Sequence, residues 1–498
     1  MISKKVKFRI LSILSIVFLC IGITIKSFQN DTFYIIKLGN YIFKNGIDFK
    51  DHWCWVTSLP YTYPHWLYDV FLYLVYNFFG YLGVYISTIV LFIILIVSIY
   101  VINLKMTKNE FLSSLIAIVS LICMKPFVTA RGQLISIILL LFEIYFLENM
   151  KKRNIIYLCI ISLLIANVHA TIWPIVFVLY LPYIVEFLVI KLKNKIMSIP
   201  RNNIKLGINC YNDKIILEKN DNIKYIFVSF ILSLCMGLFS PSKICYTYVF
   251  KVMLGDSQKY ILEHASMVIV QQPLFLALLV IVLLIMIFTK TKIKLRDLFM
   301  LSGLIFMSLF SVRHLMLFIV LGGVFISRLV INFLELEDDK TFDILYDFVC
   351  SNNLVCVVLL LMVVLGSYRN FNNSLKMNYV NVKDYPVEAV KYIKKNLDYK
   401  NMHLYNDYNY GSYLLFNDVP VFIDSRCDLY LKEFNNKNIN IFDDAVDIIY
   451  NYESKFKKYK VNYVLIKTDD IFSVILKKDD NYKILYKDSN FVLYERLN

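Results

Sequence analysis

Long apolar runs separated by short polar connectors fill the first three-quarters of the chain. About 20 consecutive apolar residues cover the hydrocarbon thickness of a bilayer, so these runs predict membrane-spanning helices. They fall near residues 7–26, 81–104, 109–127, 132–149, 154–168, 171–192, 224–240, 272–290, 297–311, 314–333 and 353–368, about eleven in all. The stretch WLYDVFLYLVYNFFG, which ends at Gly80, is shorter, aromatic and amphipathic. It reads as a helix lying along the membrane surface, with the span proper beginning at Tyr81. After residue 368 the pattern changes, and apolar runs shorten to strand length. YPVEAVKYIKKNL and DDAVDIIYNYESKF read as helices, MHLYN, VPVFI and NYVLIKT as strands, and YKILYK with FVLYER as a closing hairpin-like pair. The expected architecture is a polytopic α-helical membrane domain over residues 1–368, with outer loops 27–80 and 241–271, followed by an extracytoplasmic α/β domain over 369–498.

Composition agrees with this division. Of 498 residues 58% are hydrophobic and only 18% charged, which excludes an ordinary soluble protein. A net charge of +15 would suit a nucleic-acid partner, but the basic residues sit between apolar runs and no soluble basic domain or recognition motif accompanies them. They read as a topology signal. Lys4, Lys5, Lys7 and Arg9 put the N-terminus in the cytoplasm, ahead of an uncleaved first helix. The connectors carrying Lys105 and Lys108, Lys151 to Arg153, Lys193 to Lys205, and Lys290 to Arg296 then all fall on the cytoplasmic side. This parity places the first loop, the turns at Arg131, His169 and Arg313, the 241–271 loop and everything after 369 outside. All six histidines lie on that side. The expected location is the plasma membrane, multi-pass. Ten scattered cysteines without a CxxC pair or metal-ligand spacing indicate neither a disulfide framework nor a zinc site.

The candidate chemistry is densest in the first loop, NDTFYIIKLGNYIFKNGIDFKDHWCWVTSLPYTYPHWLYD, which holds three of the four tryptophans with Asp31, Asp48, Asp51, His52, His65 and Asp69. Asp31 stands at the start of an amphipathic helix, where capping and catalysis are compatible. Asp48 and Asp51 occupy a turn that carboxylates favour in any case. His65 is held near the interface by the proline before it. His169 follows Asn167 at a span end, where helix packing competes with ligand binding. Arg131 and Arg313 flank outer span ends and suit a phosphate-binding role. The 241–271 loop, longer than a turn requires, supplies Lys243, Asp256, Glu263 and His264, and His314 follows Arg313. Asp424, Arg426 and Asp428 in FIDSRCDLY, and Asn406, Asp407 and Tyr410 in YNDYNYGSY, follow expected strands, where an Asp/Arg pair holding a loop is one reading and ligand binding another. Glu143 and Glu186, inside spans, are the residues a proton-coupled transporter would use.

The layout resembles the GT-C superfamily of membrane glycosyltransferases, which includes protein O-mannosyltransferases and aminoarabinose transferases. An acid after the first helix (Asn30, Asp31), a helical interfacial first loop, eleven to thirteen spans, a long later outer loop and a C-terminal extracytoplasmic domain carry the resemblance. DTFYIIKLGNYIFKNGIDFKDHWCW…YPHWLYDV and NYGSYLLFNDVPVFIDSRCDLY are similar to segments of an uncharacterised bacterial subgroup. The resemblance implies transfer of a sugar from a polyprenyl phosphate-linked donor to a lipid, glycan or protein acceptor at the outer membrane face, with inversion. Asp31 is then the catalytic residue, as general base or as the group that orients the acceptor. His65, Arg131, His169, Glu263, Arg313 and His314 are the expected substrate-binding set. Where some members carry an acidic pair this chain has a single acid, so a divalent metal stays open, with Asp48 or Asp51 as a supporting ligand. An O-antigen ligase or polymerase-like enzyme and a proton-coupled transporter are the alternatives.

Overall fold

The computed structural model describes residues 3–197, 214–248, 250–251, 262–435 and 439–497. Every expected span falls on a helix, and among the described residues six helices are long and apolar enough to cross a membrane: Lys4–Ile23, Trp66–Thr107, Glu110–Phe127, Trp173–Asn194, Val312–Leu336 and Asn353–Leu375. Shorter apolar helices include Asn154–Val168, Ile223–Phe239 and Pro273–Phe288. Some helices were not anticipated, among them Tyr408–Phe416 and one in the helical domain. Thr341–Ser351 follows the acidic segment Glu335 to Asp339 and packs on the start of the first helix, through Tyr346 against Phe8 at 5.2 Å and a Lys4–Asp347 ion pair.

The aromatic stretch from Trp66 runs to Gly80, whose φ of 60° and ψ of −155° break the helix Trp66–Thr107 at the expected point. Only glycine takes that conformation without strain. The helix Asn30–Asn45 packs along this first part, so closely that a Cβ on Gly39 would meet the Asp69 carbonyl oxygen at 2.0 Å.

The C-terminal domain carries a four-stranded mixed sheet. Its strands run in the order Leu404–Asn406, Tyr463–Lys467, Phe491–Arg496, Tyr482–Lys487, the first pair parallel and the rest antiparallel. VPVFI is not one of them. Asn406 donates from Nδ2 to the Ile423 carbonyl at 2.7 Å and accepts from the Phe422 N–H at 2.9 Å, so a side chain takes the place of a neighbouring strand. Val421 pairs instead with the first loop, its N–H donating to Trp53 O at 3.0 Å and its carbonyl accepting from Trp55 N at 3.2 Å. DDAVDIIYNYESKF is likewise broken into Ile441–Val446, a short turn and Tyr452–Tyr459.

The first loop thus lies between the helical domain and the sheet domain. Phe33 packs its ring on Tyr385 and Tyr413 at 4.9 and 5.1 Å, Trp55 Nε1 donates to Leu404 O at 2.9 Å, and Trp55 stacks on His403 at 4.5 Å. At its centre Arg426 bridges Asp51 at 2.5 Å and Asp424 at 2.6 Å, with Arg426 and Asp51 each 1% exposed. A guanidinium so buried is held only when carboxylates and hydrogen bonds compensate it, which this arrangement supplies.

Candidate active site

Asp31 lies in the first turn of Asn30–Asn45, one residue beyond the first helical position. The cap position is Gln29, so Asp31 is not spent on capping. Its carboxylate pairs with Arg131 Nη2 at 2.7 Å, and the side chains are 18% and 20% exposed. Arg131, in the turn before Gln133–Glu148, also reaches both oxygens of Glu263 with Nη1 at 3.3 Å. Burial alone would lower the Arg131 guanidinium, but Asp31 and Glu263 hold it above its ordinary value. Burial likewise opposes ionisation of Glu263, and Arg131 and Arg313 overcome it, holding the carboxyl below the ordinary range.

Arg313 is held differently. It donates to His264 Nε2 at 3.1 Å and lies 3.5 Å from His169 Nε2. With the Gln133 amide turned to face it, the amide oxygen accepts from Arg313 at 3.2 and 3.3 Å. Arginine only donates, so the imidazole nitrogen facing it is an acceptor and the ring neutral. Burial and the adjacent guanidinium push His264 down to about 4 and His169 well below its ordinary value. Among the described residues no carboxylate pairs with Arg313, and its charge is left available to a ligand.

Asp31, His65, Arg131, Glu263 and Arg313 line one cavity of about 640 Å³. His169 joins through Arg313. His65 presents its ring to the cavity, 5.8 Å from that of His169, with Asp69 Oδ1 3.7 Å from its Nδ1. The turn at His169 is docked on the first loop by Ala170 N donating to Pro64 O at 2.9 Å, and Trp66 Nε1 donates to Asn167 at 2.9 Å. Arg131, Glu263 and Arg313 also border a second cavity of about 410 Å³. Its walls are otherwise mostly apolar, from Ile122, Leu274, Phe275, Leu278, Phe318 and Ile319 among others. Phe318 opens the π-helical turn Phe318–Gly322 there and packs on Phe275 at 4.8 Å.

Other expected site residues lie elsewhere. His314 turns its Nδ1 to the Met307 carbonyl at 3.2 Å and lines neither cavity. Asp48 accepts from Tyr41, Tyr63, Lys50 N and His52. Asp51 accepts from Arg426 and from the N–H groups of Trp53 and Cys54. Both are saturated away from Asp31, and among the described residues no group of three His, Cys, Asp or Glu could hold a metal ion. The residues present do not fit a divalent ion bridging Asp31 and Glu263: the Arg131 guanidinium is the cation that joins them. Asp256 lies outside the described residues. Glu186 is committed to Arg296 at 3.1 Å, in a buried cluster with Glu148, Asp297 and Arg328 that the exposed Glu218 joins at its edge. Glu143 is buried, and neither of its oxygens has a hydrogen-bond partner among the described residues.

The cavity also draws residues that periodicity does not single out, among them Gln29, Tyr248, Tyr408 and Cys427. The signal for the last two was their place in the YNDYNYGSY and FIDSRCDLY turns; nothing local marks Gln29 or Tyr248.

No protein-family model matches the chain, and no curated protein matches it in sequence. Among solved structures, 97% of the chain is similar, at 10% identity and a TM-score of 0.54, to 73% of the archaeal oligosaccharyltransferase AglB from Archaeoglobus fulgidus, described in complex with an inhibitory peptide and a dolichol-phosphate. The likeness supports a GT-C-like fold for this chain.

Proposed function

We propose that the protein is an inverting membrane glycosyltransferase, which moves a sugar from a polyprenyl phosphate-linked donor to an acceptor at the outer membrane face. The observation that carries this reading is Arg313, a guanidinium with neutral partners where an apolar cavity meets a polar one. An amphiphilic donor has the matching division: an apolar chain, a phosphate and a sugar. The chain fits the groove beside Phe275 and Phe318, the phosphate the Arg313 guanidinium, and the sugar the polar cavity.

In the transfer, an acceptor hydroxyl oxygen bonds to the anomeric carbon as the bond from that carbon to the phosphate oxygen breaks. The leaving phosphate takes the electron pair, and Asp31 takes the hydroxyl proton. The leaving group gains charge in the transition state, so guanidinium donors placed beforehand stabilise that state more than the bound donor. Arg131 engages one Asp31 oxygen and fixes the carboxylate at the helix start. The fold likeness to AglB, whose structure holds a dolichol-phosphate, supports the same division of the donor.

Binding of polyprenyl phosphate to the purified protein in nanodiscs, followed by native mass spectrometry, tests the assignment. Arg313→Ala should weaken binding by about 10-fold or more, the loss of a charge-assisted contact, and Arg313→Lys less. Equal affinity in wild type and Arg313→Ala would contradict it.

A further inference from the structure

The reaction proposed above occupies one wall of the polar cavity, and the facing wall belongs largely to the C-terminal domain. Tyr408 and Asn409, Ser425 to Asp428, and Phe442 line it, and Tyr248 of the 241–271 loop closes it. The carboxylates around this wall are held in different ways. Asp407 caps the helix Tyr408–Phe416, accepting from Asn409 N at 2.8 Å. Asp424 clasps Arg426. Asp428 does neither: among the described residues its side-chain partner is the Tyr248 hydroxyl, which donates at 3.2 Å. Asp31, Asp51, Asp424 and Glu263 are each ion-paired, whereas Asp428 lines the cavity with no cation within pairing distance among the described residues.

Burial pushes the Asp428 carboxyl above its ordinary range, against the Tyr248 hydroxyl and the more distant cations Arg313 and Lys251. A carboxylate poorly served by its surroundings gains most from hydroxyl donors brought by a ligand. Aromatic rings border the same cavity, Tyr248 packed on Phe434 at 5.5 Å and Tyr408 on Phe442 at 5.3 Å. Rings against the apolar face of a pyranose, with a carboxylate taking its hydroxyl hydrogen bonds, are the two contacts a polyhydroxylated ring offers. None of the described residues lining the cavity belongs to a strand, so the wall offers no sheet edge on which an extended peptide could pair.

We propose that this wall is the acceptor subsite and that it takes a carbohydrate, with Asp428 accepting hydrogen bonds from acceptor hydroxyls between Tyr248 and Tyr408. The assignment rests on the glycosyl-transfer reading, which it deepens by naming the acceptor class.

The test uses the full-length protein in nanodiscs with two probes, chitohexaose and a serine- and asparagine-containing peptide of similar mass. Binding is measured first, without donor. Wild type should bind chitohexaose and not the peptide, Asp428→Asn should weaken that binding by about 10-fold or more, and Asp428→Glu should fall between. Turnover of a polyprenyl-phosphate hexose is then measured. Asp428→Asn should raise the KM for chitohexaose while leaving kcat, and release of polyprenyl phosphate without acceptor, close to wild type. Unchanged carbohydrate binding in Asp428→Asn, absence of carbohydrate binding by wild type, or preference for the peptide overturns the subsite. An equal loss of donor turnover and acceptor use in a variant with unchanged thermal midpoint overturns it too, placing Asp428 in the donor site. Carbohydrate binding lost in Asp428→Asn, in a protein that turns over no donor, supports the subsite and contradicts the transfer reading.

Discussion

Arg131 and Arg313 have the same side chain, yet the fold puts them to different uses. Arg131 is compensated by two carboxylates and serves to fix Asp31. Arg313 rests on neutral imidazoles, with no carboxylate paired to it among the described residues. The difference predicts separable phenotypes. Asp31→Asn should retain lipid phosphate binding and lower transfer by about 10²–10⁴-fold, the usual worth of general base catalysis, as read by polyprenyl phosphate release under saturating donor. His264 supplies a pH dependence. Its imidazole takes up a proton more readily in the unfolded chain than beside Arg313, so stability is full above the ordinary value of 6.5 and falls as pH drops from there towards about 4. The thermal midpoint should decline over that interval, and His264→Asn should flatten the decline.

At the scale of elements, the first loop divides into two working parts. Asp31 and His65 serve the cavity, whereas Asp48, Asp51 and His52 serve the brace under the C-terminal domain. This division was not legible in the sequence, because the partner that claims Asp51 lies 375 positions away. VPVFI failed as a strand for a related reason: its alternation is genuine, but Asn406 and the first loop take its hydrogen bonds. The break at Gly80 was legible, because a glycine closing an aromatic amphipathic run marks a change of direction. Two substitutions test these elements by thermal unfolding of the purified protein. Asp51→Ala leaves Arg426 half-compensated and should cost about 3 kcal/mol. Gly80→Ala should cost about 1–3 kcal/mol through backbone strain alone, since nothing lies within 4 Å of the added methyl.

Across the whole molecule, two charged clusters stand apart from the Arg426 brace. Asp31, Arg131, Glu263 and Arg313 gather with His65, His169 and His264 around the cavity. Glu148, Glu186, Arg296, Asp297 and Arg328 gather in a separate buried cluster, with the exposed Glu218 at its edge. Counting the parity of basic connectors puts Asp31, His65, Arg131, His169, Glu263, His264 and Arg313 on one expected side, and these are the residues that gather here, so the composition of the cavity was partly legible before its geometry. Its far wall was not, because the C-terminal turns carry no mark of which surface they face. Glu186, locked to Arg296, is poorly placed to carry protons through the membrane.

The central claim, that a lipid-linked sugar is cleaved at the cavity between Asp31 and Arg313, is tested most directly by turnover. Purified protein in nanodiscs is given a polyprenyl-phosphate hexose, and released polyprenyl phosphate is counted against Asp31→Asn and Arg313→Ala. The account predicts release by wild type, binding without release by Asp31→Asn, and weakened binding with reduced release by Arg313→Ala at donor concentrations that just saturate wild type. Release by both variants at the wild-type rate would contradict it.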